Sequence, residues 1–343
     1  MTRPVELGWS KAPDTPSVAS PMRAVDVWRC ERGVDRLALT ARLRVRGDDP
    51  NLRGHFPGLP VLPGVFIIEA LCQAMSLAAA DQAAPPVLRD VRSVRFVSPL
   101  LDGDELTLDI AGSARGGGWR VTAEGRRGDG TLAARIRADF GTGRAAGSGA
   151  TQAPALSWRT GGGREHVDVR AVLPQRHPLL LVDRVLDLDP GRRISAVKAV
   201  TATEPCFAGI RDAAEAWRYD YPSSLLIESL GQTAALLWLD GREPAPDDDG
   251  VLMFVGARNY RFDGAAHPGD TLRHEVRLES VIADTAFASG ETWVGDRRIA
   301  TVETLIATRR PVRRSDPVPP AVPARTAPAS SPSMVPSVWE GLR

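Results

Sequence analysis

Lysine is nearly missing from this 343-residue chain; Lys11 and Lys198 stand alone, and arginine carries the positive charge. We read that as genome composition with no bearing on function. Net charge is equally scant. With 43 basic against 42 acidic residues there is no global field to hold nucleic acid or an anionic membrane. The three cysteines, Cys30, Cys72 and Cys206, are far apart and form no Cys-x-x-Cys or Cys/His cluster, which argues against a disulfide framework or a zinc site. Residues 1–22 have no long apolar run, so no secretory signal is expected. The most apolar segment, 65–80, contains Glu69 and Gln73 and is short for a membrane span. No Gly-x-Ser-x-Gly elbow offers a serine nucleophile. These absences predict a soluble, cytoplasmic protein with reduced thiols, and its length allows two ordinary domains.

What is present is concentrated in residues 54–69, Gly-His-Phe-Pro-Gly-Leu-Pro-Val-Leu-Pro-Gly-Val-Phe-Ile-Ile-Glu. One imidazole, His55, sits in a Gly/Pro-stiffened loop fourteen residues ahead of one carboxyl, Glu69, inside an otherwise apolar helix expected over Gly64 to Ala80. Pro63 suits the first turn of that helix. A neutral imidazole suits a base, and a carboxyl in apolar surroundings can hold a proton to donate.

The pattern recurs. Pro63, Glu69 and Gln73 return as Pro222, Glu228 and Gln232, each 159 positions later, while Arg95-Phe96 and Gly103-Asp104 return 166 positions later as Arg261-Phe262 and Gly269-Asp270. The seven-residue difference falls at the polar insert Asp240 to Gly250. Two tandem copies of one α+β fold are predicted, each with a strand, one long buried helix, then three or four antiparallel strands wrapped around it. Leu37 to Val45 alternates like a strand, as do Leu106, Leu108 and Ile110. Gly128-Asp129-Gly130 and Val294-Gly295-Asp296 read as hairpin turns. The boundaries read 1–22 as an N-terminal extension, 23–145 as the first copy, 146–165 as a linker within Gly- and Ser-rich sequence, 166–308 as the second copy and 309–343 as a Pro-rich disordered tail.

Residues 54–73 resemble the core motif of the hotdog-fold β-hydroxyacyl-acyl-carrier-protein dehydratases, almost throughout. Leu173 to Pro178, Leu180 to Val185 and Pro190-Gly191 resemble the family's opening segment, and Thr203-Glu204-Pro205 with Phe207-x-Gly209 resembles the approach to its catalytic loop. The second copy then departs: Ile210-Arg211-Asp212-Ala213 stands where His-Phe-Pro-Gly would follow, so it has no base of its own. The resemblance implies a double-hotdog pseudo-dimer inside one polypeptide that dehydrates β-hydroxyacyl thioesters carried on the phosphopantetheine of an acyl carrier protein, without metal, redox cofactor, nucleic acid or membrane. In that family each site takes its histidine from one unit and its carboxyl from the other. His55 is then the base and Glu228 the acid, with Glu69 the weaker candidate in a mirror site lacking a histidine. Gly64, at a helix start, is the candidate backbone donor to the thioester oxygen. Phe56, Pro57, Gly58, Pro63, Val65, Gln73 and Gln232 complete the expected substrate-binding set, the two glutamines orienting the carboxyls. Glutamate at the acid position resembles the simple dehydratases, not the dehydratase-isomerases, which implies no double-bond migration. A fused, half-degenerate pair points to polyketide or unusual fatty-acyl assembly.

His166, His177, His267 and His274 have no partner pattern and read as loop or core residues. Tyr219 and Tyr221 read as a surface insertion. Arg309, Arg310, Arg313 and Arg314 form a basic run that is solvated or faces an acidic carrier, and Met334 to Leu342 reads as a frayed terminus. The chain could also associate beyond its internal pair. A non-catalytic acyl-chain binder and a hotdog thioesterase are the rival functions.

Overall fold

Alternating polarity builds the strands. In β3 (Arg36–Arg44), Leu37, Leu39, Ala41 and Leu43 are buried, while the residues between them face outward, the two-residue period of a sheet with one wet face. A computed structural model describes residues 8–14, 17–82, 84–142, 163–210, 215–239 and 250–311, all within one compact unit. The polar insert, most of the linker, Arg313, Arg314 and residues 334–342 lie outside the described residues.

The first half runs β1 (Ser10–Lys11), β2 (Val27–Arg32), β3, α1 (Pro50–His55), α2 (Val65–Leu77), β4 (Val87–Phe96), β5 (Glu105–Arg115), β6 (Gly118–Arg127) and β7 (Leu132–Gly141). The second runs α3 (His166–Val172), β8 (Arg184–Asp189), β9 (Arg193–Ala199), α4 (Ser223–Leu239), β10 (Gly250–Phe262), β11 (Thr271–Ile282), β12 (Thr285–Val294) and β13 (Arg297–Pro311). Every strand pairs antiparallel in one sheet of order β1-β2-β3-β5-β6-β7-β4-β10-β13-β12-β11-β9-β8. Apart from β1, the order reads the same outward from the β4–β10 seam, so the two copies are joined as a pair. At that seam Gly256 lies opposite Arg95, and a Cβ there would come within 2.5 Å of the Val94 carbonyl oxygen. The expected hairpin turns fall between β6 and β7 and between β12 and β13.

Each half wraps its sheet around one helix, α2 or α4, and the two helices pack on each other. Helix α2 buries Val65, Phe66, Ile67, Ile68, Leu71 and Met75. At about 1.5–3 kcal/mol for each large apolar side chain, that burial outweighs the few kcal/mol of placing one hydrogen-bonded carboxyl, Glu69, among them.

Two expectations need correction here. His55 does not sit in a loop; it closes the short helix α1, which starts at Pro50 behind an Asp49 cap that accepts from the Asn51 N–H at 2.8 Å. Tyr221 is no surface insertion. It is buried, and its hydroxyl donates to Glu204 Oε2 at 3.2 Å, because the chain must return inward there to start α4.

Residues 17–25, of which 17–22 fall within the expected N-terminal extension, are the first half's copy of residues 174–182. Pro21, Val25 and Asp26 precede Pro178, Val182 and Asp183 by 157 positions. Asp26 Oδ2 accepts from the Arg44 N–H as Asp183 Oδ2 accepts from the Ala199 N–H. A short Val-Asp match was the available signal, too brief to stand out beside the glutamate repeat.

Candidate active site

His55 lies at the end of α1, half-buried, opening onto a cavity of about 140 Å³ between the halves. Its Nδ1 is 3.0 Å from the Val61 carbonyl oxygen. A carbonyl only accepts, so Nδ1 carries the proton of the neutral ring and Nε2 keeps a bare lone pair. The acceptor is fixed in turn, since Val61 bridges to Leu101 and the Leu62 N–H donates to Leu100. Burial pulls the imidazole down to about 4.

Glu228, from α4 of the other half, lines the same cavity as His55. Burial raises its carboxyl, and a hydrogen bond from Gln232 Nε2 to Oε1 at 2.9 Å opposes the rise only in part. Gln232 is itself clamped: its Oε1 accepts from the Leu181 N–H at 2.8 Å and its Nε2 donates to the Leu179 carbonyl at 2.7 Å. Burial thus shifts the two groups in opposite directions, the imidazole down to about 4 and the carboxyl up, and each shift favours the uncharged form, one able to take a proton and the other to give one.

Gly64 caps α2 and lines the cavity beside His55. Its N–H belongs to the first-turn donors that a helix leaves without internal acceptors. A side chain there would force Phe96 to shift, because its Cβ would lie 2.9 Å from that ring. Beyond the reacting groups the cavity is walled by Ile227, Trp238, Met253, Phe254, Leu278 and Leu305.

Glu69 lies elsewhere. It lines a second cavity of about 360 Å³ with Gln73, Val18, Trp217 and Pro222, and no histidine is among the lining. Gln73 repeats the clamp of Gln232, accepting from the Ala24 N–H and donating to the Met22 carbonyl and to Glu69 Oε1. Unlike Glu228, however, Glu69 has further partners: Ser20 donates to Oε1 at 2.8 Å and Ser224 to Oε2 at 2.7 Å. Burial still raises it.

Of the expected substrate-binding residues, Phe56 and Gln232 line the His55 cavity. Gln73 lines the other one. Pro57 and Gly58 face solvent, Pro63 precedes the α2 cap, and Val65 is wholly buried in the core; none of these four lines either cavity. They shape the turn into α2 and leave the lining to Val61, Leu62 and Ile67. Motif spacing marks the segment without saying which of its side chains point inward.

His274, expected to be a core or loop residue, is completely buried behind the acid. Ser229 donates to the Leu181 carbonyl at 2.6 Å, so it accepts from His274 Nε2–H at 2.8 Å, and His274 Nδ1 accepts from Thr292 Oγ1–H at 3.0 Å. Burial and nearby Lys198 hold this imidazole down to about 3. The corresponding residues of the first half are Ala70, Leu108 and Gly125, so only the half that carries Glu228 has this polar support.

A histidine from one half and a buried carboxyl from the other, lining one largely apolar cavity between paired sheets, are the parts an acid–base lyase needs on a double-hotdog scaffold. Comparisons with known proteins agree. Residues 173–303 match the FabA-like domain family and residues 31–129 the ApeI dehydratase family. The 3-hydroxyacyl-[acyl-carrier-protein] dehydratase FabZ of Acidovorax sp. (strain JS42) is 40% identical over 138 residues, covering 40% of this chain and 92% of its own length. The FabZ of Shewanella loihica is 33% identical over 142 residues, 41% of this chain and 90% of its own. Among solved structures, the dehydratase domain from the CurJ module of curacin polyketide synthase superposes with a TM-score of 0.58 at 11% identity, covering 85% of this chain and 96% of that domain. The RzxB dehydratase domain from Pseudomonas fluorescens gives 0.56 at 17%, covering 84% and 99%. The chain belongs to the hotdog-fold 3-hydroxyacyl-[acyl-carrier-protein] dehydratase family.

Proposed function

We propose that this chain converts β-hydroxyacyl thioesters, delivered on the phosphopantetheine arm of an acyl carrier protein, to trans-2-enoyl thioesters. The observation that carries the reading is the shared cavity of His55 and Glu228. His55 Nε2 takes the proton from the carbon beside the thioester carbonyl. The electron pair left behind forms the carbon–carbon double bond as the β-hydroxyl departs with the proton of Glu228, and water is released. The Gly64 N–H holds the thioester oxygen while negative charge builds on it. A proton passing from the imidazolium back to the carboxylate restores the starting state. Nothing is oxidised or reduced, so the step as written calls for no cofactor.

One working site per chain follows from the single histidine motif, and the internal pair supplies both reacting groups without a second copy. No helix among the described residues is long and apolar enough to cross a membrane, in keeping with a carrier-borne substrate in the cytoplasm. The glutamate acid favours simple dehydration with the double bond left at position 2.

The experiment is to incubate purified protein with carrier-bound β-hydroxyacyl chains of several lengths and to follow loss of water by mass. Intact substrate in every case, or release of free thiol instead, would overturn the reading.

A further inference from the structure

Gln175 is a polar side chain of the His55 cavity whose chemistry the proposed reaction leaves unused. It lines the cavity wall, is 8% exposed, and its Oε1 is buried without a hydrogen-bond partner. Leaving such an acceptor dry and unpaired costs about 1–3 kcal/mol. The residue at the matching place of the other half, 157 positions earlier, is the apolar Val18, which lines the Glu69 cavity. The half-to-half contact beside each is also matched: the Arg176 N–H donates to the Gly54 carbonyl at 2.7 Å, as the Ala19 N–H donates to Arg218. Gln175 therefore stands beside the contact to the histidine turn and shares the cavity with the apolar wall of Trp238, Leu278 and Leu305.

We propose that Gln175 is a specificity-determining residue whose side-chain carbonyl accepts a hydrogen bond from an amide N–H of the phosphopantetheine arm. This deepens the proposed function and rests on it for the identity of the substrate. An acyl tail brings no donor, and the β-hydroxyl is addressed by Glu228. Beyond the thioester, the first donor the arm offers is an amide N–H; its hydroxyl lies farther out. With the tail against the apolar wall, the arm leaves past the histidine turn, where Gln175 stands. A buried acceptor matched to one substrate N–H discriminates against an analogue that lacks it, because the site is then left unpaired.

The test uses two unreactive saturated ligands, S-hexanoyl-N-acetylcysteamine and its isostere with an ester oxygen in place of the amide N–H. Binding of each is measured by calorimetry or ligand-detected NMR to the full-length protein and to Gln175→Met. The full-length protein should bind the amide about tenfold or more tightly than the ester, and Gln175→Met should bind the two alike. Equal binding by the unaltered protein overturns the proposal whether or not the variant folds. So does a preference that survives in Gln175→Met; a purely structural role for Gln175 would weaken both ligands together and keep their ratio. The β-hydroxyhexanoyl forms of the pair then report on turnover. Amide preference without any dehydration would sink the proposed reaction and leave the contact standing, so the two failures are distinguishable.

Discussion

Ser224 donates to Glu69 Oε2 at 2.7 Å across the interface of the two halves, and the residue at its matching place in the first half is Val65, which has no donor to offer. This is one of two differences that separate the repeated carboxyls, the other being Ser20 at Glu69 Oε1. Glu69 is held at both oxygens by Ser20, Gln73 and Ser224, whereas Gln232 holds Glu228 at Oε1. In the cavity without a histidine the carboxyl is thus hydrogen-bonded at both oxygens.

Exchanging each carboxyl should therefore have opposite consequences. Glu228→Gln removes the proton donor and should lower kcat by about 10²–10⁴-fold with little loss of stability. Glu69→Gln should keep kcat within about threefold. Its cost should fall on stability, about 1–3 kcal/mol, because an amide cannot accept from all three donors. Turnover and denaturant unfolding of the two variants decide it; equal loss of kcat would end the cross-half assignment.

The opposed shifts of His55 and Glu228 set the pH profile. Activity needs the imidazole free of its proton and the carboxyl carrying one. The acid limb of kcat/KM should fall as pH drops through about 4. The alkaline limb should fall as pH rises through the elevated value of Glu228. A profile whose acid limb lies at the ordinary histidine value near 6.5 would contradict the burial of that ring.

His274 makes a separate claim on stability. Its folded value, about 3, lies below that of a free histidine, so the unfolded chain binds the extra proton between them. The stability that this neutral ring contributes is fully present above pH 6.5 and is lost as pH falls toward 3. At pH 5 the loss should be about 2 kcal/mol relative to pH 7, at 1.36 kcal/mol per pH unit. His274→Leu should be less stable at pH 7, with Ser229 and Thr292 stripped of a partner, yet flatter with pH. Urea titrations at the two pH values measure both effects.

Gly64→Ala would place a methyl 2.9 Å from the Phe96 ring. The expected cost is about 1–3 kcal/mol of stability from overpacking. A drop in kcat larger than that in substrate affinity should accompany it, as the N–H moves away from the thioester oxygen.

Much of the site could be read before any coordinates. The glutamate–glutamine pairs declared themselves because a carboxyl and an amide one turn apart in an apolar helix have few other uses. The lost histidine of the second copy was visible as a missing motif. Val65, Pro57 and Gly58 were not separable from true lining residues, since proximity in a motif carries no information on which way a side chain points. The support behind Glu228 was hidden for another reason. Ser229, His274 and Thr292 come from α4, β11 and β12, and no local pattern links them.

By itself the chain's sequence determined that there are two copies of one fold, that they share one histidine motif, and that each presents a carboxyl from a buried helix. Those are properties of periodicity, composition and short-range spacing. Which carboxyl shares a cavity with His55 was decided only by tertiary structure. The pairing of β4 with β10 puts α2 against α4 and brings opposite halves to each cavity. Burial there, and not residue type, shifts both the imidazole and the carboxyl toward their uncharged forms.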